Sequence, residues 1–129
     1  MFSFQKLDVY RCAIQFLKLA SALSSELPRG YAALGDQLRR AALSVPLNIA
    51  EGTGGLSSRD ARRFYGIARG SALECAAILD ALATLEFKSK TALEGPYDLL
   101  DRVVAMLTAM TRPKPPSASA SHVGVGVSR

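Results

Sequence analysis

His122 is the only histidine in the chain, and it lies in a stretch near the C-terminus made mainly of Pro, Ser, Ala, Gly and Val. Proton transfer near neutral pH and most transition-metal sites draw on histidine, because its ring changes charge near pH ~6.5 and its neutral nitrogen ligates. A carboxylate-bridged di-metal site in a helical protein uses Glu-x-x-His pairs, and the sequence holds none. Gly52-Thr53-Gly54-Gly55 matches a phosphate loop only in its glycines. It lacks the Gly-Lys-Ser/Thr ending and follows a helical pattern rather than a strand, so it reads as a connector. No pair of Asp or Glu residues has a sequence reason to share a cleft. These residues point to no catalytic centre, no metal ligand set, no cofactor and no small-molecule substrate.

Two other groupings carry chemistry of a binding kind. Arg39, Arg40, Arg59, Arg62, Arg63 and Arg69 concentrate positive charge in the middle of the chain, offset in part by Asp36, Glu51 and Asp60. Arg59, Arg62 and Arg63, with Arg69 two turns further on, can share one side of a helix, and Arg39 adds to the patch. Each phosphate neutralised by such a patch contributes a salt-dependent increment of affinity for nucleic acid. Arg112, Lys114 and Arg129 near the C-terminus add a smaller basic contribution. The bland alternative is a solvated basic face, and no RNP motif, KH loop or zinc-finger spacing argues against it. The second grouping is Gln37, Arg40, Ser44, Asn48 and Glu51, spaced by three and four along one polar stripe, with Glu74 elsewhere. It is either a solvated face or a semi-buried network at a subunit seam, where Arg40 meets Glu51 or Glu74 of a neighbour. Side-chain amides suit such a seam because they both donate and accept.

The elements that position these groups are helical throughout. Ala and Leu dominate and β-branched residues are scarce, a bias toward helix because Ala and Leu lose little rotamer freedom there. The first helix is expected from about Lys6 to Glu26, with Leu7, Tyr10, Ile14 and Leu17 as one apolar stripe. A second stripe of Val9, Ala13, Phe16, Ala20 and Leu23 adjoins it. The wide apolar arc fits either a heavily buried central helix or an extra subunit contact. Pro28, Arg29 and Gly30 break the pattern. The second helix spans roughly Tyr31 to Glu51, with Leu34, Leu38, Ala41, Ala42, Val45 and Ile49 inward. It is read as kinked but continuous through Pro46, since the periodicity resumes in phase at Ile49. The third opens with Ser57 as cap and Asp60 reaching back and runs to about Phe87, with Phe64, Ile67, Ser71, Ile78, Leu82 and Leu85 inward. Gly66 and Gly70, one turn apart, each cost about 1 kcal/mol relative to alanine, so close approach of another helix is expected there. The fourth covers about Tyr97 to Arg112, with Leu100, Val103, Leu107 and Met110 inward. Gly95-Pro96 marks its start, and a short turn at Thr91 to Glu94 precedes it.

The 129 residues fit one domain with an appendage; apolar residues form 49% of them and the net charge is +5. Residues 1–112 read as an all-α, antiparallel up-down-up-down four-helix bundle, and 113–129 as a disordered tail. Cys12 and Cys75 lie at apolar helical positions and read as buried free thiols. The opening residues lack a signal-peptide pattern and no segment approaches a membrane span. A cytoplasmic protein with no membrane partner is the expectation.

Two runs also carry a family resemblance. The sixteen residues from Gln37 to Gly52, with Pro46 and Asn48 at fixed places, and the run Phe64 to Glu74 resemble signatures of the proteins encoded in intervening sequences of bacterial 23S rRNA genes. Phe4 to Tyr10 resembles that family's opening, and the likeness extends from residue 4 to about 111. It implies an up-down four-helix bundle associating into ring-like pentamers, with helix two continuous through Pro46. It also favours the subunit-seam reading of the polar stripe. The architecture is similar to that of the accessory protein of diversity-generating retroelements, which binds nucleic acid, although that protein's own pattern is not present here. The sequence departs from the family in its Pro/Ser tail and in Gly95-Pro96. The expectation is a non-enzymatic homo-oligomer, its basic surface available to RNA or DNA. The alternative is a structural or protein-interaction scaffold.

Overall fold

The computed structural model describes residues 1–113. Four helices account for most of them: α1 (Asp8–Ser25), α2 (Ala32–Thr53), α3 (Ser58–Thr84) and α4 (Lys90–Met110), preceded by a 3-10 turn at Ser3–Lys6. No strand occurs among the described residues. The expected tail, apart from Pro113, lies outside them, and so do His122, Lys114 and Arg129.

The helices pack in a closed cycle, α1 on α2, α2 on α3, α3 on α4 and α4 on α1. They enclose one core built from small and medium side chains. Phe16 of α1, Leu38, Val45 and Ile49 of α2, Cys75, Leu79 and Leu82 of α3, and Leu93, Val103 and Leu107 of α4 are its largest fully buried members. Paired contacts run in opposite directions along neighbours. Gln37 meets Glu74, Ser44 meets Ser71 and Gly52 meets Tyr65 across α2 and α3. Arg69 meets Thr108 and Asp80 meets Tyr97 across α3 and α4.

The helix boundaries correct the sequence reading at several places. α1 starts at Asp8 rather than Lys6, because Leu7 is extended (φ −77°, ψ 134°) after the 3-10 turn. Its core stripe is Val9, Cys12, Ala13, Phe16, Ala20 and Leu23, whereas Leu7, Tyr10 and Leu17 flank the core and Ile14 is 40% exposed. α2 is continuous through Pro46, which is buried. α3 has Ser57 as its cap, the hydroxyl accepting from the Asp60 amide at 3.1 Å. It ends at Thr84 instead of Phe87. Glu86 turns left-handed (φ 62°), and the Phe87 amide donates back to the Leu82 carbonyl at 2.9 Å, a helix stop of the Schellman kind. The inward face of α3 is Ala68, Ala72, Cys75, Ile78, Leu79 and Leu82, while Ile67 and Leu85 are each 43% exposed.

α4 departs furthest from expectation. It begins at Lys90, capped by the Ser89 hydroxyl accepting from the Ala92 amide at 3.1 Å, and carries Pro96 in its interior. Proline removes the donor that would meet the Ala92 carbonyl. Ala92 is exposed, so water can satisfy that carbonyl, while the buried pyrrolidine ring joins Leu93 and Leu100 at the core. The expected turn at Thr91 to Glu94 is therefore the first part of this helix. No helix among the described residues is long and apolar enough to cross a membrane.

Candidate nucleic-acid and subunit interfaces

Two ion pairs form among the described residues, Arg39 with Asp36 (3.0 Å) and Lys88 with Glu26. Arg39 is therefore partly neutralised, one turn from its partner on α2. Arg69 is held differently. Its Nε donates to the Thr108 hydroxyl at 2.8 Å, and Thr108 in turn donates to the Val104 carbonyl at 2.7 Å, tying α3 to α4. The other three arginines of the basic patch stand on the first two turns of α3. Arg59 is exposed and Arg62 half-buried, and the Arg63 guanidinium lies 4.3 Å from the centre of the Phe64 ring. A cation over an aromatic face is attracted by the ring quadrupole and keeps its charge. No carboxylate of the described residues makes an ion pair with Arg59, Arg62 or Arg63. At 100° per residue, Arg62 and Arg69 share the α4 side of α3 while Arg63 points outward. Arg59, Arg62, Arg63 and Arg69 fall within about 120° of the helix circumference, one broad side of α3. Arg112, which sequence placed with the tail, joins the patch by sharing a cleft with Arg62.

The polar stripe of α2 is resolved into two parts. Gln37, Ser44 and Asn48 face α3 of the same chain. Gln37 donates to the Glu74 carboxylate, the Ser44 and Ser71 hydroxyls are 2.8 Å apart, and Asn48 donates to the Ser44 carbonyl (2.8 Å) and hydroxyl (3.0 Å). These groups form an intrachain network, with Ser71 as a member the stripe alone does not reveal. Arg40 and Glu51 are exposed, without an ion-pair partner among the described residues.

Beside them lies an apolar surface that the periodicity did not single out. Leu43 (45% exposed) and Leu47 (57%) sit one turn apart on α2, and Ile67 on α3 is similarly open. Gly66 and Gly70 are also exposed, and a Cβ at either would meet nothing within 4 Å. The expected close approach is thus not made by any helix of the same chain. The glycine that does need its missing side chain is Gly52. A Cβ there would come within 2.8 Å of the Tyr65 ring and 3.1 Å of the Ala61 carbonyl. Tyr65 is further fixed by its hydroxyl, 2.9 Å from that of Thr53, which donates to the Ile49 carbonyl.

Perturbed acidities are few. Burial, reinforced by the Glu74 charge, pushes the Cys75 thiol up to about 12. The Tyr97 phenol is also raised to about 12, first by desolvation and then by its hydrogen bond to the Asp80 carboxylate and that group's charge. Both shifts hold the proton on, and neither prepares a nucleophile at neutral pH. Among the described residues no group of three His, Cys, Asp or Glu is placed to hold a metal ion.

A four-helix protein with an arginine-rich helix start and an uncovered apolar face is the class these features define. The chain belongs to the 23S rRNA-intervening sequence protein family, whose model matches residues 5–109. It is also similar to a crystal structure of a protein with unknown function from the S23 ribosomal protein family of Bacteroides thetaiotaomicron. The TM-score is 0.75 at 20% identity, covering 81% of this chain and 99% of that one. At that identity the likeness speaks for the fold. No curated protein matches the chain.

Proposed function

We propose that this protein is a non-enzymatic, self-associating bundle of four alternately up and down helices that engages nucleic acid, RNA in particular, through the start of α3. The observation that carries the proposal is that Arg59, Arg62 and Arg63 crowd two turns without an ion-pair partner among the described residues. Charges left free in this way gain most from a polyanion, since binding releases its condensed counterions. Self-association repeats the patch and multiplies its effect. The pentamer implied by the family resemblance is the assembly we favour, and two buried free cysteines fit a reducing cytoplasm. Fluorescence anisotropy of a labelled structured RNA with the full chain tests the proposal. The Arg59→Ala/Arg62→Ala/Arg63→Ala variant should bind at least about tenfold more weakly than wild type. Equal affinity with unchanged helical content would remove the patch from the account.

A second reading, a protein-interaction scaffold without a nucleic-acid role, is favoured by the exposed Leu43, Leu47 and Ile67. An open apolar surface of this kind marks contact with another protein. In the first reading that contact is another copy of the chain, flanked by Arg40 and Glu51, with Gly66 and Gly70 leaving room for a close neighbour. Native mass together with nucleic-acid affinity separates the two.

A further inference from the structure

We infer that the cleft where α3 begins and α4 ends is a phosphate-binding site for an unpaired nucleotide of a nucleic-acid strand, with Arg62 and Arg112 as its cationic walls. This rests on the nucleic-acid reading above and gives that reading a centre and a preferred form of ligand. Ser58, Ala61, Arg62, Tyr65, Met110 and Arg112 line the cleft. The residues lining it include two arginines and a serine but no Asp or Glu, and neither arginine has an ion-pair partner among the described residues. Two like charges on residues of one cleft repel each other, and an anion bound between them turns that repulsion into attraction. A guanidinium suits phosphate because its planar fork donates two parallel hydrogen bonds.

Three other clefts on the described residues lack this combination. The one beside the α1–α2 loop holds Arg29 and Arg39, but also Asp36, which pairs with Arg39. A second, along α3 and α4, mixes Lys90 with Asp80 and Glu94. A third, between Leu7, Val9, Met106 and Met110, has no cation.

Tyr65 and Met110 determine the form of nucleic acid. A duplex presents phosphates on a convex ridge and keeps its bases stacked inside, so an aromatic and a thioether beside two arginines have nothing to contact. An unpaired nucleotide offers its base as well, and stacking on aromatic side chains is how single strands gain sequence-tolerant affinity. The Tyr65 ring is already held in place, by the α2 backbone at Gly52 and by the Thr53 hydroxyl. The cleft therefore has a floor that binding does not have to order.

Anisotropy titrations of full-length protein with a fluorescein-labelled 12-nucleotide single strand and the matching duplex, at several salt concentrations, test the inference. The variants are Arg62→Ala, Arg112→Ala and, as a control on the opposite flank of the bundle core, Arg29→Ala. Wild type should prefer the single strand over the duplex. Each cleft variant should lose about five- to tenfold in single-strand affinity and lower the log–log salt slope by about 0.7, while Arg29→Ala stays within about twofold. Circular dichroism checks that each variant folds. If Arg112→Ala binds like Arg29→Ala, or the duplex binds as tightly as the single strand, the cleft inference is overturned while nucleic-acid binding elsewhere stands. If wild type binds neither probe at low salt, the proposed function fails and the cleft with it.

Discussion

Glycines at two positions of this chain do opposite work, and substituting them separates packing from propensity. At Gly52 a methyl group would press on the Tyr65 ring and the Ala61 carbonyl. Gly52→Ala should lower stability by about 1–3 kcal/mol, the range for overpacking a tight contact, as read by chemical denaturation. At Gly70 the space is open, and Gly70→Ala should raise the stability of the isolated chain by up to about 1 kcal/mol. Glu86 is the converse case, a residue with a Cβ in left-handed backbone. Glu86→Gly relieves a penalty of about 1–2 kcal/mol and should raise the melting temperature; a lower one would mean that the Glu86 side chain matters more than its backbone. Cys75 contributes, with Tyr97, to the alkaline limit. Its folded pKa of about 12 lies above the ordinary thiol value of 9.0, so the folded state binds the proton more tightly than the unfolded one. The associated stability is complete below pH 9.0 and is lost as pH rises from there toward about 12. Cys75→Ala should flatten that alkaline decline, and at neutral pH both buried thiols should resist a thiol reagent until denaturant is added.

The helices themselves were largely legible, and the exceptions have physical causes. Ser57 announced the start of α3 through capping chemistry, and the in-phase return of apolar residues at Ile49 carried α2 past Pro46. The helix runs on through Gly52 to Thr53, and Gly54 after it keeps a negative φ (−87°) rather than a left-handed cap. Pro96 obeys the same rule, since Leu93, Pro96, Leu100, Val103 and Leu107 form one buried series at helical spacing. Proline is a strong local signal, and here a tertiary core outweighs it. Pro96→Ala restores a donor worth about 3 kcal/mol to an interior helix position. It also removes about two buried methylene groups at about 0.8 kcal/mol each, for a net gain of about 1–2 kcal/mol on denaturation. A loss would mean that the ring's packing outweighs the hydrogen bond. On α3 the inward face was misassigned because its core members Ala68, Ala72 and Cys75 are small and give a weak hydrophobic signal, whereas the larger Ile67 and Leu85 drew the stripe outward. Their smallness lets α3 lie close to its neighbours. The polar stripe of α2 was legible as a group, but spacing could not tell which members turn toward α3; Gln37, Ser44 and Asn48 do, and Arg40 does not.

At the scale of the whole molecule, charge and apolar surface remain to be matched with partners. The net charge of +5 gives long-range attraction to polyanions but no specificity, so localisation of the free arginines at the start of α3 decides the binding reading. The exposed Leu43, Leu47 and Ile67 decide the assembly reading. Leu47→Asp should reduce the native mass in sedimentation equilibrium from a multiple of the protomer toward the protomer itself; an unchanged multiple would place the contact on another face. Gly70→Ala adds a check, since a chain that gains stability but loses assembly has a neighbour packed at that glycine. The candidate nucleic-acid surface was legible only as clustered arginines. Which of them are free, and that Arg112 folds back beside Arg62, depends on how α3 and α4 pack.

The most direct test of the account is the salt dependence of RNA binding by the full-length wild-type protein. Affinity should fall linearly on a log–log plot, with a slope corresponding to several phosphates contacted at about 0.7–0.9 per phosphate. A flat plot, or no binding at low salt, would contradict the nucleic-acid role and leave the uncovered α2–α3 face as the working surface of the protein.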